Sequence, residues 1–227
     1  APSGMMARMD ATRIIFIRHG ETAWNASTRI QGHTDIALNA RGLLQARCVA
    51  QALAQREPLA AIVSSDLSRA RQTAEATSAA TGVPVQAEPG WRERAFGEFE
   101  GERFDDILAR WPEQAQRWRQ RDPDWHAPGG GESLTELQGR IARQLSELGA
   151  RHAGQLIAVF THGGVLDVVH RLATGQGLQA PRTWQLANAA INRLLWTPES
   201  LHIVGWDDQH HLQHPDLTKK SLDERTA

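Results

Sequence analysis

Cysteine is nearly absent from the 227-residue chain, which contains only Cys48. A single cysteine excludes an intramolecular disulfide framework and a zinc site built from several cysteines. No apolar run approaches the roughly 20 residues that span a bilayer, and residues 1–12 lack the apolar segment of a secretory signal. We therefore expect a cytoplasmic protein with no membrane partner, in which Cys48 is a small core residue.

An excess of charge of either sign is also lacking. The 25 Lys and Arg residues nearly balance the 26 Asp and Glu residues, for a formal net charge of −1. This balance excludes the uniform basic field that is typical of a nucleic-acid-binding protein. The length suits one large α/β domain, and a hydrophobic content of 41% is ordinary for a globular protein with a sizeable core.

Three short apolar runs predict buried strands, at 13–17 (RIIFI), 61–64 (AIVS) and 156–160 (LIAVF). Helix-forming sequence follows each of them, including residues 68–81 and an amphipathic leucine and isoleucine pattern over 134–148. Strands that alternate with helices indicate an α/β fold with a parallel sheet and right-handed crossovers.

The C-terminal part of the chain predicts a different strand pairing. Residues 191–196 and 201–206 flank a turn-forming T-P-E-S segment, which favours an antiparallel hairpin and hence a mixed sheet. We expect one domain over 13–206. Residues 1–12 would then be a flexible N-terminus or an expression-vector remnant, and 207–227 a polar tail.

The segment 103–128 contains Trp111, Trp118 and Trp125 together with several arginines and prolines. It predicts helices and a loop inserted above the sheet. A cap facing the substrate is one interpretation. Ordinary packing is the favoured interpretation for any single tryptophan, because aromatic side chains dominate burial energetics.

Charged side chains follow all three predicted strands, in R-H-G-E-T (18–22), S-S-D-L-S-R-A (64–70) and T-H-G-G (161–164). In an open α/β sheet, ligands bind at the carboxyl ends of the strands. Two arginines and two histidines at one such edge would be costly to bury without an anion. A bound phosphoryl group would compensate these positive charges. The planar guanidinium of arginine matches the geometry of phosphoryl oxygens, and glycine lets backbone N–H groups approach the same oxygens.

These residue types suit phosphoryl transfer. His19 directly follows a buried strand and could act as a rigidly held nucleophile. Arg18, Arg69 and His162 could stabilise the transferred charge without a metal ion. Glu93 is the candidate general acid and later base, although the residue pattern alone leaves Glu98, Glu100 and Glu102 open.

Six motifs carry a resemblance to a known family, and they lie in order at 18–25, 29–46, 64–74, 93–101, 130–133 and 161–164. Together they resemble the histidine phosphatase superfamily, in its phosphoglycerate-mutase-like branch, over roughly residues 13–206. The resemblance implies a three-layer α/β/α sandwich with a mostly parallel central sheet, and no metal or other cofactor. It further implies a phosphohistidine at His19, a phosphoryl grip by Arg18, Arg69 and His162, and proton transfer by Glu93. The implied substrate-binding residues are Asn25, Gln31, Gly32 and Gly163.

Three activities are compatible with these motifs. The compact stretch between Glu93 and His162, with its G-G-E-S motif, favours a phosphatase that acts on a small phosphorylated metabolite. The alternatives are a cofactor-dependent phosphoglycerate mutase and a phospho-ligand binding module without turnover. The oligomeric state is left open, a dimer included. A metal site at His210, His211 and His214 is less favoured than a solvated tail, since no rigid element fixes a carboxylate near them.

Overall fold

The computed structural model describes residues 11–56 and 58–217. The segment 1–12, predicted as a flexible N-terminus or an expression-vector remnant, lies outside these residues except for positions 11 and 12. The end of the predicted tail, 218–227, also lies outside them. The strands are β1 (Thr12–Arg18), β2 (Ala61–Ser64), β3 (Val85–Ala87), β4 (Leu156–Thr161), β5 (Ile191–Thr197) and β6 (Ser200–Asp208). The helices are α1 (Ala23–Ala26), α2 (Ala40–Ala54), α3 (Ser68–Thr81), α4 (Phe104–Arg110), α5 (Pro112–Arg119), α6 (Leu134–Arg151) and α7 (Gly163–Thr174).

A six-stranded sheet in the order β3-β2-β4-β1-β5-β6 forms the centre of the domain. The pairs β2–β3, β2–β4 and β1–β4 are parallel, whereas β1–β5 and β5–β6 are antiparallel. The predicted mixed sheet and its C-terminal hairpin are thus confirmed. Strand β6 continues two residues beyond the predicted hairpin, and the Arg193 guanidinium donates to the Asp208 carboxylate at 2.9 Å there.

Helices cover both faces of the sheet. Alternate side chains of β1 point to opposite faces, so both faces present apolar side chains to the helices. Ile14 and Phe16 pack in the core under α6 and α7, whereas Ile15 and Ile17 pack with α2 and α3. The five predicted apolar positions of α6 are all buried (Leu134, Leu137, Ile141, Leu145 and Leu148). The three-layer α/β/α sandwich is confirmed. Cys48 is buried in α2, as predicted.

Side chains of the segment 103–128 form, together with Phe99, a third and separate cluster of buried residues. Phe99, Ile107 and Trp125 are its fully buried centre. Trp111 and Trp118 are half-buried against it, and the Trp118 and Trp125 rings stack with their centroids 6.5 Å apart. Packing therefore accounts for Trp125, while Trp118 also presents a face to a cavity that is described below.

Within the described part of the chain, no helix is both long enough and apolar enough to cross a membrane.

Candidate active site

The parallel pairing of β1 and β4 brings the two predicted catalytic histidines together. Arg18 lies opposite Thr161 in the register, and the next backbone N–H, that of His19, donates to the Thr161 carbonyl at 2.9 Å. The rings of His19 and His162, which follow these strands, have their centroids 5.1 Å apart. Two histidines 143 positions apart in the sequence thus become neighbours through the strand register alone.

The His19 imidazole is oriented by its own backbone neighbour. Its Nδ1 lies 2.7 Å from the Gly20 carbonyl oxygen, which can only accept, so the proton resides on Nδ1 and Nε2 keeps its lone pair. Burial lowers the pKa of His19 well below its usual value, and the positive charges of Arg69 and Arg18 lower it further. The ring is therefore neutral, with the lone pair of Nε2 available.

The second histidine, His162, is oriented by a side-chain hydroxyl group. Its Nε2 lies 2.8 Å from the Ser65 hydroxyl, whose oxygen accepts a hydrogen bond from the Leu67 N–H at 3.3 Å. A hydroxyl can donate to Nε2 or accept from it, so this contact orients the ring without fixing which nitrogen carries the proton. Nδ1 of His162 is buried without a hydrogen-bond partner among the described residues. Burial, followed by the charge of Arg69, lowers the pKa of His162 well below its usual value.

Arg69, in the first turn of α3, is completely buried. Its Nη1 donates to the Thr34 carbonyl at 2.9 Å and its Nη2 to the Gly32 carbonyl at 2.7 Å. Its Nε has no hydrogen-bond partner within the described part of the chain. Burial lowers the pKa of Arg69 to about 10, so the guanidinium is cationic at neutral pH. Arg18, buried beside it, donates to the Leu186 carbonyl.

Glu93 is fixed at the start of α7. Its Oε1 accepts from the Arg94 N–H at 2.8 Å and its Oε2 from the Gly164 N–H at 3.0 Å. A Cβ at position 164 would lie 2.2 Å from Glu93 Oε1, so only glycine allows the carboxylate this close to the helix N-terminus.

The neighbouring carboxylates are placed differently. Glu98 is exposed, and Glu102 pairs with Arg110. Glu100 accepts from the N–H groups of His33, Thr34 and Phe96 at 2.9, 2.9 and 3.0 Å. Burial opposes the ionisation of Glu100, but these bonds and that from the Thr34 hydroxyl outweigh it and lower its pKa. Glu100 thus fixes the loop whose carbonyl oxygens accept the hydrogen bonds of Arg69. Of the four candidate carboxylates, only that of Glu93 lines the cavity described next.

A cavity of about 740 Å³ opens over these groups. Seven of the predicted site residues line it: Arg18, His19, Asn25, Gln31, Gly32, Arg69 and Glu93. Gly163 lines an adjoining cavity of about 230 Å³, which shares Arg18 and Glu93 with the first. His162 lines neither of these two cavities, because its ring is completely buried behind them. The structure therefore gathers all nine predicted residues in one region.

The sequence motifs assign no role to two further residues of this region, Ser65 and Asn188. Ser65, which orients His162, follows β2 directly, and the strand-end rule that selects His19 applies equally to it. Asn188 donates from Nδ2 to the His19 carbonyl at 2.9 Å, and the N–H of Ala189 donates to the Arg18 carbonyl at 2.9 Å. Asn188 lies in a loop with no motif around it, so no local signal indicates this contact.

Within residues 11–56 and 58–217, no group of three or more His, Cys, Asp and Glu side chains is arranged to hold a metal ion. Of the three tail histidines, His211 is engaged with the main chain, with its Nε2 2.8 Å from the Ala189 carbonyl.

The buried neutral histidines predict a loss of stability in mild acid. Unfolded histidine titrates near pH 6.5, whereas His19 and His162 stay neutral well below that pH in the folded protein. The unfolded state therefore binds more protons below about pH 6.5, and the free energy of unfolding falls by up to about 1.4 kcal/mol per pH unit for each of the two. Burial also lowers the pKa of His170 and His211, which act in the same direction.

Urea unfolding between about pH 7.5 and pH 5.5 measures how steeply the free energy of unfolding changes with pH. The window lies above the range in which carboxylates such as Glu100 titrate. His162→Gln should unfold with a shallower pH dependence than the wild-type protein, whatever its absolute stability. An unchanged slope in that variant would contradict the neutral assignment of His162.

Comparison with known proteins adds independent evidence. The sequence model of the histidine phosphatase superfamily (branch 1) matches residues 14–209. Phosphoglycerate mutase-like protein 4 of Arabidopsis thaliana is 35% identical over 207 residues, which cover 90% of this chain and 89% of the relative. The metal-independent phosphoserine phosphatase of the same plant is 34% identical over 215 residues, 94% of this chain and 89% of the relative.

A solved structure resembles the fold over nearly its full length. The structure of a phosphoserine phosphatase mutant from Entamoeba histolytica, in complex with phosphoserine, superposes with a TM-score of 0.78 at 27% identity. The superposition covers 88% of this chain and 98% of that one.

Proposed function

This chain belongs to the histidine phosphatase superfamily, and we propose that it hydrolyses small phosphomonoesters through a phosphohistidine on His19. One observation supports the intermediate above all others. Nδ1 of His162, which is a donor in its Nδ1–H tautomer, and the Nε–H of Arg69 are buried without hydrogen-bond partners among the described residues, and the His162 ring lies beside the His19 ring, with the centroids 5.1 Å apart. Unpaired buried donors are costly, and the oxygens of a phosphoryl group would satisfy them.

In the first half-reaction, Nε2 of His19 attacks phosphorus and the ester P–O bond breaks. Arg18, Arg69 and His162 hold the phosphoryl oxygens as charge develops on them. The leaving oxygen takes a proton from Glu93, which enters this step as the acid. The Gly20 carbonyl, 2.7 Å from Nδ1, stabilises the positive charge that the phosphorylated imidazole carries.

In the second half-reaction, water attacks the phosphorus and the P–N bond breaks. The Glu93 carboxylate now accepts the proton of that water, which restores its acid form for the next turnover. Inorganic phosphate leaves, and His19 returns to its neutral state with the Nε2 lone pair free. No metal ion takes part in either step.

An assay of phosphomonoester hydrolysis in the presence of the chelator EDTA tests this function. The purified chain is incubated with p-nitrophenyl phosphate, phosphoserine and 3-phosphoglycerate, the last with and without 2,3-bisphosphoglycerate. Phosphate release and ³¹P NMR spectra are recorded. We expect release of inorganic phosphate that EDTA does not lower, and no isomerisation of 3-phosphoglycerate that outpaces its hydrolysis.

Other results would overturn the proposal in distinct ways. Primer-dependent isomerisation faster than hydrolysis would establish a phosphoglycerate mutase, the activity suggested by the name of one relative. Tight phosphate binding with no turnover across the panel would establish a binding module. The cytoplasmic location stays a prediction, which fractionation of the native host would check.

A further inference from the structure

The G-G-E-S motif takes no part in the chemistry proposed above. Its first glycine, Gly130, has a φ of +94°, and a Cβ on Gly131 would lie 2.7 Å from the backbone nitrogen of Ala127. A tight turn therefore requires both glycines, and Ser133 then caps α6. The turn places Glu132 directly before this cap.

The Glu132 carboxylate forms a two-pronged ion pair with Arg140, which lies further along α6. Arg140 donates from Nε to Oε1 at 2.8 Å and from Nη2 to Oε2 at 2.7 Å. The two side chains are mostly buried, with exposed fractions of 20% for Arg140 and 16% for Glu132. A pair of this geometry fixes the plane of the guanidinium, so Glu132 sets the direction of the remaining N–H groups of Arg140.

Those N–H groups bind the segment that leads to Glu93. Arg140 donates from Nη1 to the carbonyl oxygens of Gly90 at 2.8 Å and Arg92 at 2.9 Å. Its Nη2 also donates to the Glu93 carbonyl at 3.3 Å. The segment is a short 3₁₀ turn followed by an irregular loop, so its carbonyl groups depend on side-chain donors. One guanidinium thus supplies donors to three of these carbonyls.

The main chain of Glu132 binds the residues on the other side of Glu93. Its N–H donates to the Ala95 carbonyl at 2.8 Å, and its carbonyl accepts from Arg94 Nε at 2.6 Å. The backbone N–H of Arg94 is the group that donates to Glu93 Oε1 at 2.8 Å. Glu132 therefore holds the chain after Glu93 directly, and holds the chain before it through Arg140.

The position of this segment matters because proton transfer needs a short distance. A general acid must lie within about 2.6–3.2 Å of the atom that it protonates, and a misplacement of about 1 Å can cost about 10²-fold in rate. The Glu93 carbonyl also accepts from His33 Nε2 at 2.8 Å. Loss of the Arg140 contacts should therefore shift the segment without releasing it.

We propose that Arg140 and Glu132 are positioning residues, which hold Glu93 where it can protonate the leaving oxygen. Neither side chain lines the two cavities at the site, so both act on the reaction through the segment that contains Glu93. This proposal rests on the hydrolase function proposed above and on the role of Glu93 in it.

A series of ring-substituted phenyl phosphates tests the proposal, from p-nitrophenyl phosphate to unsubstituted phenyl phosphate. These esters have the same ring and differ in how much their leaving oxygen needs a proton. The value of kcat/KM reports the first half-reaction, in which Glu93 is the acid. In Arg140→Lys and Glu132→Gln we expect kcat/KM for phenyl phosphate to fall by about 10- to 100-fold. The value for p-nitrophenyl phosphate should stay close to that of the wild type.

Arg140→Lys keeps a positive charge opposite Glu132, so the variant retains an ion pair. Its single ammonium group cannot reproduce the fork that reaches the Glu132 carboxylate and three carbonyls together. A purely structural role would lower kcat/KM for every ester by the same factor, because only the folded fraction would change. The dependence on the leaving group therefore separates positioning from stability.

A double variant assigns the effect to Glu93. Glu93→Gln combined with Arg140→Lys should be no slower with phenyl phosphate than Glu93→Gln alone, because the group that Arg140 positions is already lost. Arg143→Gln is the matched control, since Arg143 is exposed on the same helix. It should behave as the wild type with every ester.

The outcomes separate this proposal from the function on which it rests. If the wild-type protein does not hydrolyse p-nitrophenyl phosphate, the hydrolase function fails. If Glu93→Gln reacts with the same leaving-group dependence as the wild type, the role of Glu93 fails. If Glu93→Gln is selectively slow with phenyl phosphate but Arg140→Lys and Glu132→Gln are not, the positioning role is wrong. Effects that multiply in the double variant would also overturn it.

Discussion

His19→Ala is expected to lower kcat for p-nitrophenyl phosphate by roughly 10⁴- to 10⁶-fold, the scale on which enzymes lose activity without their covalent nucleophile. Nε2 of His19 is the ring nitrogen that is free to attack, since Nδ1 is held 2.7 Å from the Gly20 carbonyl. Wild-type protein quenched during turnover of a labelled phosphomonoester should contain an acid-labile, base-stable phosphoryl group. The variant should contain none.

Two further variants keep this test decisive. His19→Gln retains an amide that can donate to the Gly20 carbonyl, so it separates loss of the nucleophile from loss of the fold. His202→Ala removes an exposed histidine on β6 and should keep full turnover. A His19→Ala protein with wild-type kcat and a labelled wild-type residue elsewhere would refute the nucleophile assignment.

Glu93→Gln should lower kcat for phosphoserine by about 10²- to 10⁴-fold, the contribution typical of a positioned general acid. An alkoxide leaving group needs the proton, whereas p-nitrophenolate leaves readily without it. With p-nitrophenyl phosphate, the first half-reaction should therefore slow by less than about tenfold. Burst kinetics measure that step separately from the hydrolysis of the phosphoenzyme, which should also slow because the water loses its base.

Glu98→Gln is the matched control, since Glu98 is exposed and lies only five positions from Glu93. It should behave as wild type with both substrates. Equal losses in the first half-reaction for both leaving groups in Glu93→Gln would show that another group donates the proton.

The sequence predicts well that Arg18, Arg69 and His162 converge, because each follows a strand or opens the helix after one. Parallel strands end at a common edge, so buried runs at 13–17, 61–64 and 156–160 are enough to bring Arg18, Arg69 and His162 together. This inference needs only the strand directions, and no knowledge of how the helices pack.

The position of the Glu93 carboxylate depends on a more distant partner. The residue pattern alone therefore leaves four carboxylates as candidates for the general acid. It lies after a short 3₁₀ turn and not at a strand end. Its position is set by the N–H of Gly164, 71 residues later, and by the absence of a side chain at that glycine. Only the family motif, and then the structure, distinguishes it from Glu98, Glu100 and Glu102.

The local sequence indicates two other features of the structure only weakly. Strand β3 spans only Val85–Ala87, and its extended state comes from pairing with β2, in which Ile62 lies opposite Val85. The part of the cavity that Phe104 and Trp118 line depends on how α4 and α5 pack around Phe99 and Trp125. Sequence spacing shows which residues these helices contain, but the orientation of the helices follows from tertiary packing.

The register of β1 has a consequence for biosynthesis. The strand that precedes His19 is synthesised before both of its neighbours in the sheet, β4 and β5, which end at Thr161 and Thr197. A nascent polypeptide halted before β5 contains the imidazole of His19 but lacks one of the two strands that pair with β1. Catalytic competence should therefore arise only after β5 has been made, and copies truncated before it should have no partial activity.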